Sequence, residues 1–398
     1  MIETISFEDE CLEIRGFLSI SSAKIELSDV TALIGAQASG KSVVAKLFYF
    51  SRRFLSSYAR VVVGENFELR KFKSEQLSEF LSLFGGLDGF AGGFQIKYSV
   101  GEYELEVERV SNKTKPKLTM SKAYSSLGQR LKRAYSRYQK NIDEKGDRKR
   151  RASFYSFSTG FEEVKSFYSS VPDVLFVPAS RAFYSTVSEE LFTFLASDQR
   201  IDPVLAQFGS FYEFAKRRIL GELYGPRTAE EMDAIKKTIR PVIRGEYTRE
   251  KSREFIKTEW GKVALSSASS GQQEAFPLLL SLIEFPERTY GNQLLIIEEP
   301  EAHLFPEAQR YILQQIVSVA LNETCSVLFT THSPYVLACL NNEILRLTKE
   351  GDEETKFDAY RLGAGSASCL LDDEGLIDTN YLDAVSQKIA EDYLEYSD

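Results

Sequence analysis

The chain has 398 residues, 43% of them hydrophobic, enough to bury a large core and to divide into two or three structural units. It lacks a run of about eighteen apolar residues, which excludes a membrane-spanning helix. Its net charge of −9 hides an asymmetry: between Lys113 and Arg151 fourteen Lys/Arg face three acids, a local excess of +11 that leaves −20 on the remainder. A basic segment on an acidic body points to an interaction arm. The acidic N-terminus Met1–Glu10 lacks the layout of a signal peptide. Cys11, Cys325, Cys339 and Cys369 lack metal-ligand spacing and read as free thiols. The expected compartment is the cytoplasm.

Alternation in Cys11–Arg15 predicts a strand, and Lys24–Ile34 reads as a strand that runs into residue 35. Residues 35–42, Gly-Ala-Gln-Ala-Ser-Gly-Lys-Ser, then match the phosphate-loop template. Gly35 and Gly40 let the backbone turn so that amides along Ala36, Gln37, Ala38 and Ser39 face phosphate oxygens. Lys41 supplies an ammonium for the β- and γ-phosphates, and the Ser42 hydroxyl ligates Mg²⁺. Val43–Phe50 leaves with helical spacing, which sets the phosphates at a helix N-terminus. The cofactors expected are therefore ATP, or another nucleoside triphosphate, and Mg²⁺.

A second helix is expected around Ser74–Phe84, broken by the Gly-rich stretch 85–93, and a hairpin over 94–100 and 103–109 that closes at Gly101. Tyr124, Leu127, Leu131, Tyr135 and Tyr138 form an apolar stripe at helical spacing, opposite Arg130, Lys132, Arg133, Arg137 and Lys140. So short a stripe needs a partner surface, either a second limb of the arm or another protein. Residues 141–146 end this helix, and a Ser/Phe/Tyr-rich return runs to Ser170. Val174–Arg181 reads as a buried strand, 187–260 as mostly helical and charged, and Leu294–Ile297 and Ser326–Thr330 as strands of a parallel sheet.

Three segments narrow the chemistry. Leu294–Glu301 is an apolar strand that delivers Glu298 and Glu299 at its C-terminal end, where ligands bind in α/β sheets. Glu298 suits the Mg²⁺ hydration shell, and Glu299 suits orienting and polarising the attacking water. Ser326–Pro334 is a second strand, ending in His332, whose imidazole can donate to a γ-phosphate. Ser269, Ser270, Gly271 and Gln272 open a helix and make a second anion cup. One nucleotide does not need two cups, unless the second serves a nucleotide held by another subunit.

The order of phosphate loop, Ser-Ser-Gly-Gln, Glu-Glu-Pro-Glu-Ala-His and Thr-His-Ser-Pro resembles the ABC-class ATPases, and within them the soluble branch of SMC proteins, RecF and OLD-family ATPases. Ala-Ser-Ser-Gly-Gln-Gln, Glu-Glu-Pro-Glu-Ala-His-Leu-Phe-Pro and Thr-Thr-His-Ser-Pro-Tyr are similar to the OLD-like AAA ATPases of bacterial anti-phage systems such as Septu and PARIS. The resemblance implies an α/β P-loop NTPase of ABC-ATPase type with a mixed, largely parallel sheet core, an inserted basic helical arm and a helical subdomain. It implies a discontinuous core over 1–110 and 171–350, an arm over 111–170, a helical subdomain over 187–260 and an acidic extension over 351–398. It also implies that Ser269, Gly271 and Gln272 cap ATP held by an opposite protomer, in a head-to-tail dimer or higher homo-oligomer. Ser270 departs from the transporter pattern, which has Gly there. Glu298 departs from the usual Asp, so slow hydrolysis is expected. Gln95 is the nearest candidate for the family's Mg²⁺-contacting glutamine.

OLD nucleases carry a metal-dependent TOPRIM domain after the ATPase. Here Asp372-Asp373-Glu374 follows no buried strand with Asp-x-Asp, so a nuclease site is not expected. The implied function is an ATPase that senses a trigger, DNA or a phage protein, and controls an effector encoded beside it, a nuclease by expectation. The alternative is a RecF/SMC-like repair or recombination ATPase acting on DNA through Lys132, Arg133, Arg137 and Arg148–Arg151. A transporter subunit fits poorly with the long insertions.

Overall fold

A computed structural model describes residues 5–378 except 6, 8, 88–89, 145–170, 188–201, 251–252, 288–291, 322–324 and 353, together with 388 and 391–393. One eleven-stranded sheet carries the architecture. Its parallel part lies in the order β13 (Phe357–Gly363), β3 (Val30–Ile34), β12 (Cys325–Thr331), β11 (Gln293–Glu298) and β7 (Asp173–Val177). The register pairs Arg361 and Thr331 with Ile34, Thr330 with Glu298, and Ile297 with Val177. The C-terminal ends of these strands therefore line up on one edge, which fixes where a ligand can be held.

These strands are apolar throughout because both faces are covered. Leu33, Leu294, Ile296 and Leu328 pack with Val44, Leu47 and Phe48 of α1 (Lys41–Val61). Ile34, Leu295, Ile297, Val327 and Phe329 face the other way, toward α6 (Ser270–Glu284), α7 (Pro306–Ala320) and α8 (Pro334–Glu350). The antiparallel part adds β6 (Lys117–Met120), β5 (Tyr103–Arg109), β4 (Phe94–Val100), β1 (Cys11–Phe17) and β2 (Ile20–Glu26), with β14 (Ser366–Cys369) joining β2 to β13. A buried ion pair ties the two parts together. Arg52 of α1 donates to Glu10 (2.9 Å) and to the Asn292 carbonyl (3.3 Å), while Tyr98 of β4 donates to Glu10 (2.7 Å).

Four expectations change. The apolar stripe of α3 (Lys122–Glu144) needs neither a second limb nor a foreign partner: Tyr124, Leu127, Leu131 and Tyr138 are buried against the body. Tyr58 of α1 donates to the Tyr124 carbonyl (2.8 Å), and the Tyr124 ring sits edge-on to Phe54, Tyr58 and Tyr103. Lys132, Arg133, Arg137 and Lys140 line its exposed side; Arg148–Arg151 lie outside the described residues. Second, the span 187–260 holds α4 (Pro203–Ile219) and α5 (Ala229–Ile243) but then turns into β8 (Glu246–Glu250) and β9 (Arg253–Thr258), which with β10 (Gly261–Ala264) form a separate antiparallel sheet. Third, the core does not stop at 350. β13 is hydrogen-bonded to β3 in the middle of the sheet, so the supposed acidic extension supplies a core strand. Fourth, the strand expected to run into the phosphate loop from Lys24 is two strands, β2 and β3, with a turn between them.

Leu127→Ala is expected to cost about 2–5 kcal/mol of unfolding free energy in urea, the usual price of truncating a buried Leu. Arg133→Ala, on the exposed side of the same helix, should stay within about 0.5 kcal/mol of wild type. Equal effects would place α3 off the body.

Candidate functional site

Strand β3 delivers the phosphate loop and α1 receives it. Gly35 is irreplaceable on steric grounds: a Cβ there would lie 2.2 Å from the Leu362 carbonyl of β13 and 2.6 Å from Ser39 Oγ. Ala38 (φ 61°) and Gly40 (φ 104°) take left-handed conformations that curl the loop into an amide nest. Gly40 opens α1 without a side-chain cap, whereas α5 and α6 open on the side chains of Thr228 and Ser269. Helix amides left open in this way suit an anion. Ala36, Gln37, Ala38 and Ser42 are exposed, and the buried Ser39 Oγ has no hydrogen-bond partner among the described residues. Lys41 is buried, its Nζ donating to the carbonyls of Gly35 (2.7 Å) and Ala36 (3.0 Å). Burial pushes its ammonium below the ordinary lysine value. An orphan hydroxyl, an uncapped helix and a desolvated ammonium fit a polyphosphate.

The strand register brings Lys41, Glu299 and His332 together. His332 Nε2 lies 3.4 Å from Glu299 Oε1, and its Nδ1 lies 3.5 Å from Lys41 Nζ. These are outer-limit contacts that a ligand between them would reorganise. Glu301, to which no role was assigned, fixes the histidine loop by accepting from Thr331 Oγ1 (2.7 Å) and the His332 amide (2.8 Å). Glu299 sits at φ 45°, a strained conformation for a non-glycine, with its N–H held by the Thr330 carbonyl (3.0 Å). Glu298 turns to the loop after β7, where its Oε2 accepts from the Ala179 amide (3.3 Å). Gln95 is engaged elsewhere, donating to Glu106 (2.6 Å) on the exposed hairpin.

Arg181 is the functional candidate that sequence reasoning missed. Fully buried, it donates to the carbonyls of Glu274 (2.9 Å), Glu298 (2.8 Å), Glu299 (3.0 Å) and Pro178 (3.3 Å). The Glu274 carboxylate lies 3.4 Å away as an ion pair. Desolvation pushes the guanidinium down, against the pull of Glu274, Glu301, Glu299 and Glu298. Arg181 thus joins α6, the helix that opens at Ser269, to the strand end that carries Glu299. A cation placed directly after a buried strand of the same sheet was the available signal.

Ser269–Gln272 forms a capping box. Ser269 Oγ accepts from the Gln272 amide (3.4 Å), and Gln272 Oε1 accepts from the Ser269 amide (3.1 Å). Gln272 Nε2 reaches back to the Ile243 carbonyl at the end of α5 (2.7 Å). Ser269 and Ser270 are exposed, and a Cβ on Gly271 would lie 2.9 Å from the His303 carbonyl. Among the described residues no hydrogen bond joins this segment to the phosphate loop of the same chain.

No described helix is long and apolar enough to cross a membrane. The family described as AAA ATPase domain matches residues 10–337. An OLD nuclease of Thermus scotoductus is 35% identical over 75 residues, a stretch spanning 18% of this chain and 14% of that protein. The SMC head domain from Thermotoga maritima is similar over 92% of this chain and 98% of its own, at 14% identity and a TM-score of 0.37. The recombination mediator protein RecF-ATPrS is similar over 92% of this chain and 99% of its own, at 12% identity and a TM-score of 0.34. The strands that carry the phosphate loop, the histidine and the acid pair follow one another across one sheet, and the chain belongs to the AAA ATPase domain family.

Proposed function

We propose that this ATPase works as a nucleotide-gated homo-oligomer that regulates a separate effector. The observation that carries the reading is the meeting of Lys41, Glu299 and His332 at one sheet edge, while the Ser269–Gln272 cup of the same chain makes no hydrogen bond to it among the described residues. Lys41 and the loop amides hold the triphosphate. Glu299 polarises the attacking water, and His332, steadied by Glu301, faces the γ-phosphate. Mg²⁺ would accompany the triphosphate. Ser42 would ligate it, and Glu298 would meet it through water. Mg²⁺ supplies charge neutralisation on the transferring phosphoryl group.

The second cup then serves a neighbour's nucleotide, so ATP both closes the interface and is consumed there. Glu274 lies on the same helix as Ser269, and Arg181 ties that helix to the backbone of Glu299. Capping by one subunit is thereby passed to the base of the other site. The motifs shared with OLD-like defence ATPases support an effector, a nuclease by expectation, as the recipient of this signal. The second reading, direct action on DNA as in repair, is supported by the exposed cations of α3.

Lys41→Ala should abolish ATP binding in an equilibrium titration; unchanged affinity would remove it from the site. Glu299→Gln should bind MgATP, turn over at least about 100-fold more slowly and elute as a stable oligomer. Arg181→Gln should keep ATP affinity within about threefold yet lose the dependence of turnover on protein concentration; a parallel loss of both would make it merely structural. Co-expression with the neighbouring gene product should give one complex on gel filtration. If instead only DNA is bound, with a steep salt dependence that Arg133→Ala and Arg137→Ala flatten, the repair reading replaces effector control.

A further inference from the structure

A groove beside the Ser269–Gln272 cup has no role in anything derived above. It is a cavity of about 820 Å³ whose lining includes Arg240, Arg244, Lys257 and Trp260 as well as the carboxylates Glu246 and Glu259, and it adjoins a second of about 530 Å³ that contains Arg244, Ser269, Gly271 and Gln272; Gln272 also lines the first. Arg244 and Gln272 are common to both, so the two cavities form one trough leading away from the cup.

Trp260 stands at the tip of the β9–β10 turn with 90% of its surface exposed. The turn presents it firmly: the Trp260 amide donates to Thr258 Oγ1 (3.2 Å), which donates to the Gly261 carbonyl (3.1 Å). Arg240, Arg244 and Lys257 are exposed, and no ion pair holds any of them among the described residues, although neighbouring Lys236, Arg249 and Lys262 are paired. Arg244 closes α5 in the left-handed conformation (φ 53°), a position that helices usually give to glycine. Gln272 of the cup clamps the preceding carbonyl, and Gly245 brings the chain so close to β9 that a Cβ would lie 2.5 Å from Ile256. The strained placement of Arg244 is thus set by the cup itself.

Unpaired cations beside a planar aromatic side chain recognise a nucleotide: phosphate or ribose by the guanidinium, the base by stacking. A trough that starts at the cup receives the rest of the nucleotide whose γ-phosphate the cup holds. We propose that Arg244 and Trp260 bind, in trans, the ribose-phosphate and base of the ATP carried on the phosphate loop of a second copy of this chain. This inference rests on the head-to-tail reading above. It makes the trough a determinant of base specificity and of ATP-driven assembly.

Trp260 is the only tryptophan in the 398 residues, so its emission reports on the trough alone. The full chain carrying Glu299→Gln, titrated with MgATP, should show a change in tryptophan emission that tracks dimer formation on gel filtration. Adding Trp260→Ala should weaken ATP-dependent dimerisation roughly 5- to 150-fold, the range that base stacking spans, while Trp260→Phe restores most of it. Arg244→Gln should weaken dimerisation by about tenfold or more, with ATP binding to the monomer unchanged. A dimer that forms without any change in emission, and that Trp260→Ala leaves intact, overturns the trough while the head-to-tail reading stands. Absence of any ATP-dependent dimer overturns both. An emission change with oligo-dT in the absence of ATP overturns the inference in favour of a single-stranded nucleic-acid groove.

Discussion

One guanidinium with no exposure to solvent organises the catalytic end of this molecule. Burying a charge of that size is costly unless its donors are used, and Arg181 spends them on the carbonyls of four residues from three segments. Those carbonyls belong to strand and helix ends, where the regular ladder provides no partner. Without Arg181, the backbone at Glu298 and Glu299 would lose the donors that hold it beyond the strand end. The left-handed Glu299 is affordable only in that setting, because strain of this kind persists where surrounding contacts over-determine it.

The two helix starts proposed to meet phosphate are built in opposite ways. α1 begins at Gly40 with nothing but backbone and a folded-back lysine, so its amides are ready for phosphate. α6 begins with Ser269 and Gln272 satisfying each other's amides. The first arrangement is a receptor that waits for its ligand. The second is stable without a ligand, and its serine hydroxyl must leave an internal bond before it can serve an external one. In the proposed assembly the first would bind phosphate on its own, while the second would contribute only once a neighbour is close.

Much of the nucleotide site was legible in the sequence because its parts are local. The phosphate loop, the acid pair after a four-residue aliphatic run and the histidine after a second run each declare themselves within ten residues. Parallel strands buried on both faces then leave little choice about which end carries the chemistry. What was not legible depends on distant partners. Arg181 stands at the end of a predicted buried strand, but nothing local tells which carbonyls its guanidinium will meet until β7, β11 and α6 enclose it. The stripe on α3 showed that something would be covered but not that α1 and β5 would cover it. β8 (Glu-Tyr-Thr-Arg-Glu) and β9 (Arg-Glu-Phe-Ile-Lys-Thr) lack the strict alternation of a strand and lie mostly at half-exposed positions, so their charge content reads as a solvated helix. β13 hides in an acidic stretch because Phe357, Ala359 and Leu362 are too few to mark a central strand on their own.

The place of β13 bears on how the protein is made. β3, which launches the phosphate loop, is flanked by β12 and β13, and both are specified some three hundred residues later. The carbonyl that shapes Gly35 also comes from β13, at Leu362. During synthesis this strand has neither of its neighbours until some three hundred further residues have been made. Its two open edges must be kept from pairing wrongly for that whole interval. Closure of the sheet on both sides of the strand that launches the phosphate loop therefore waits on residues 325–363.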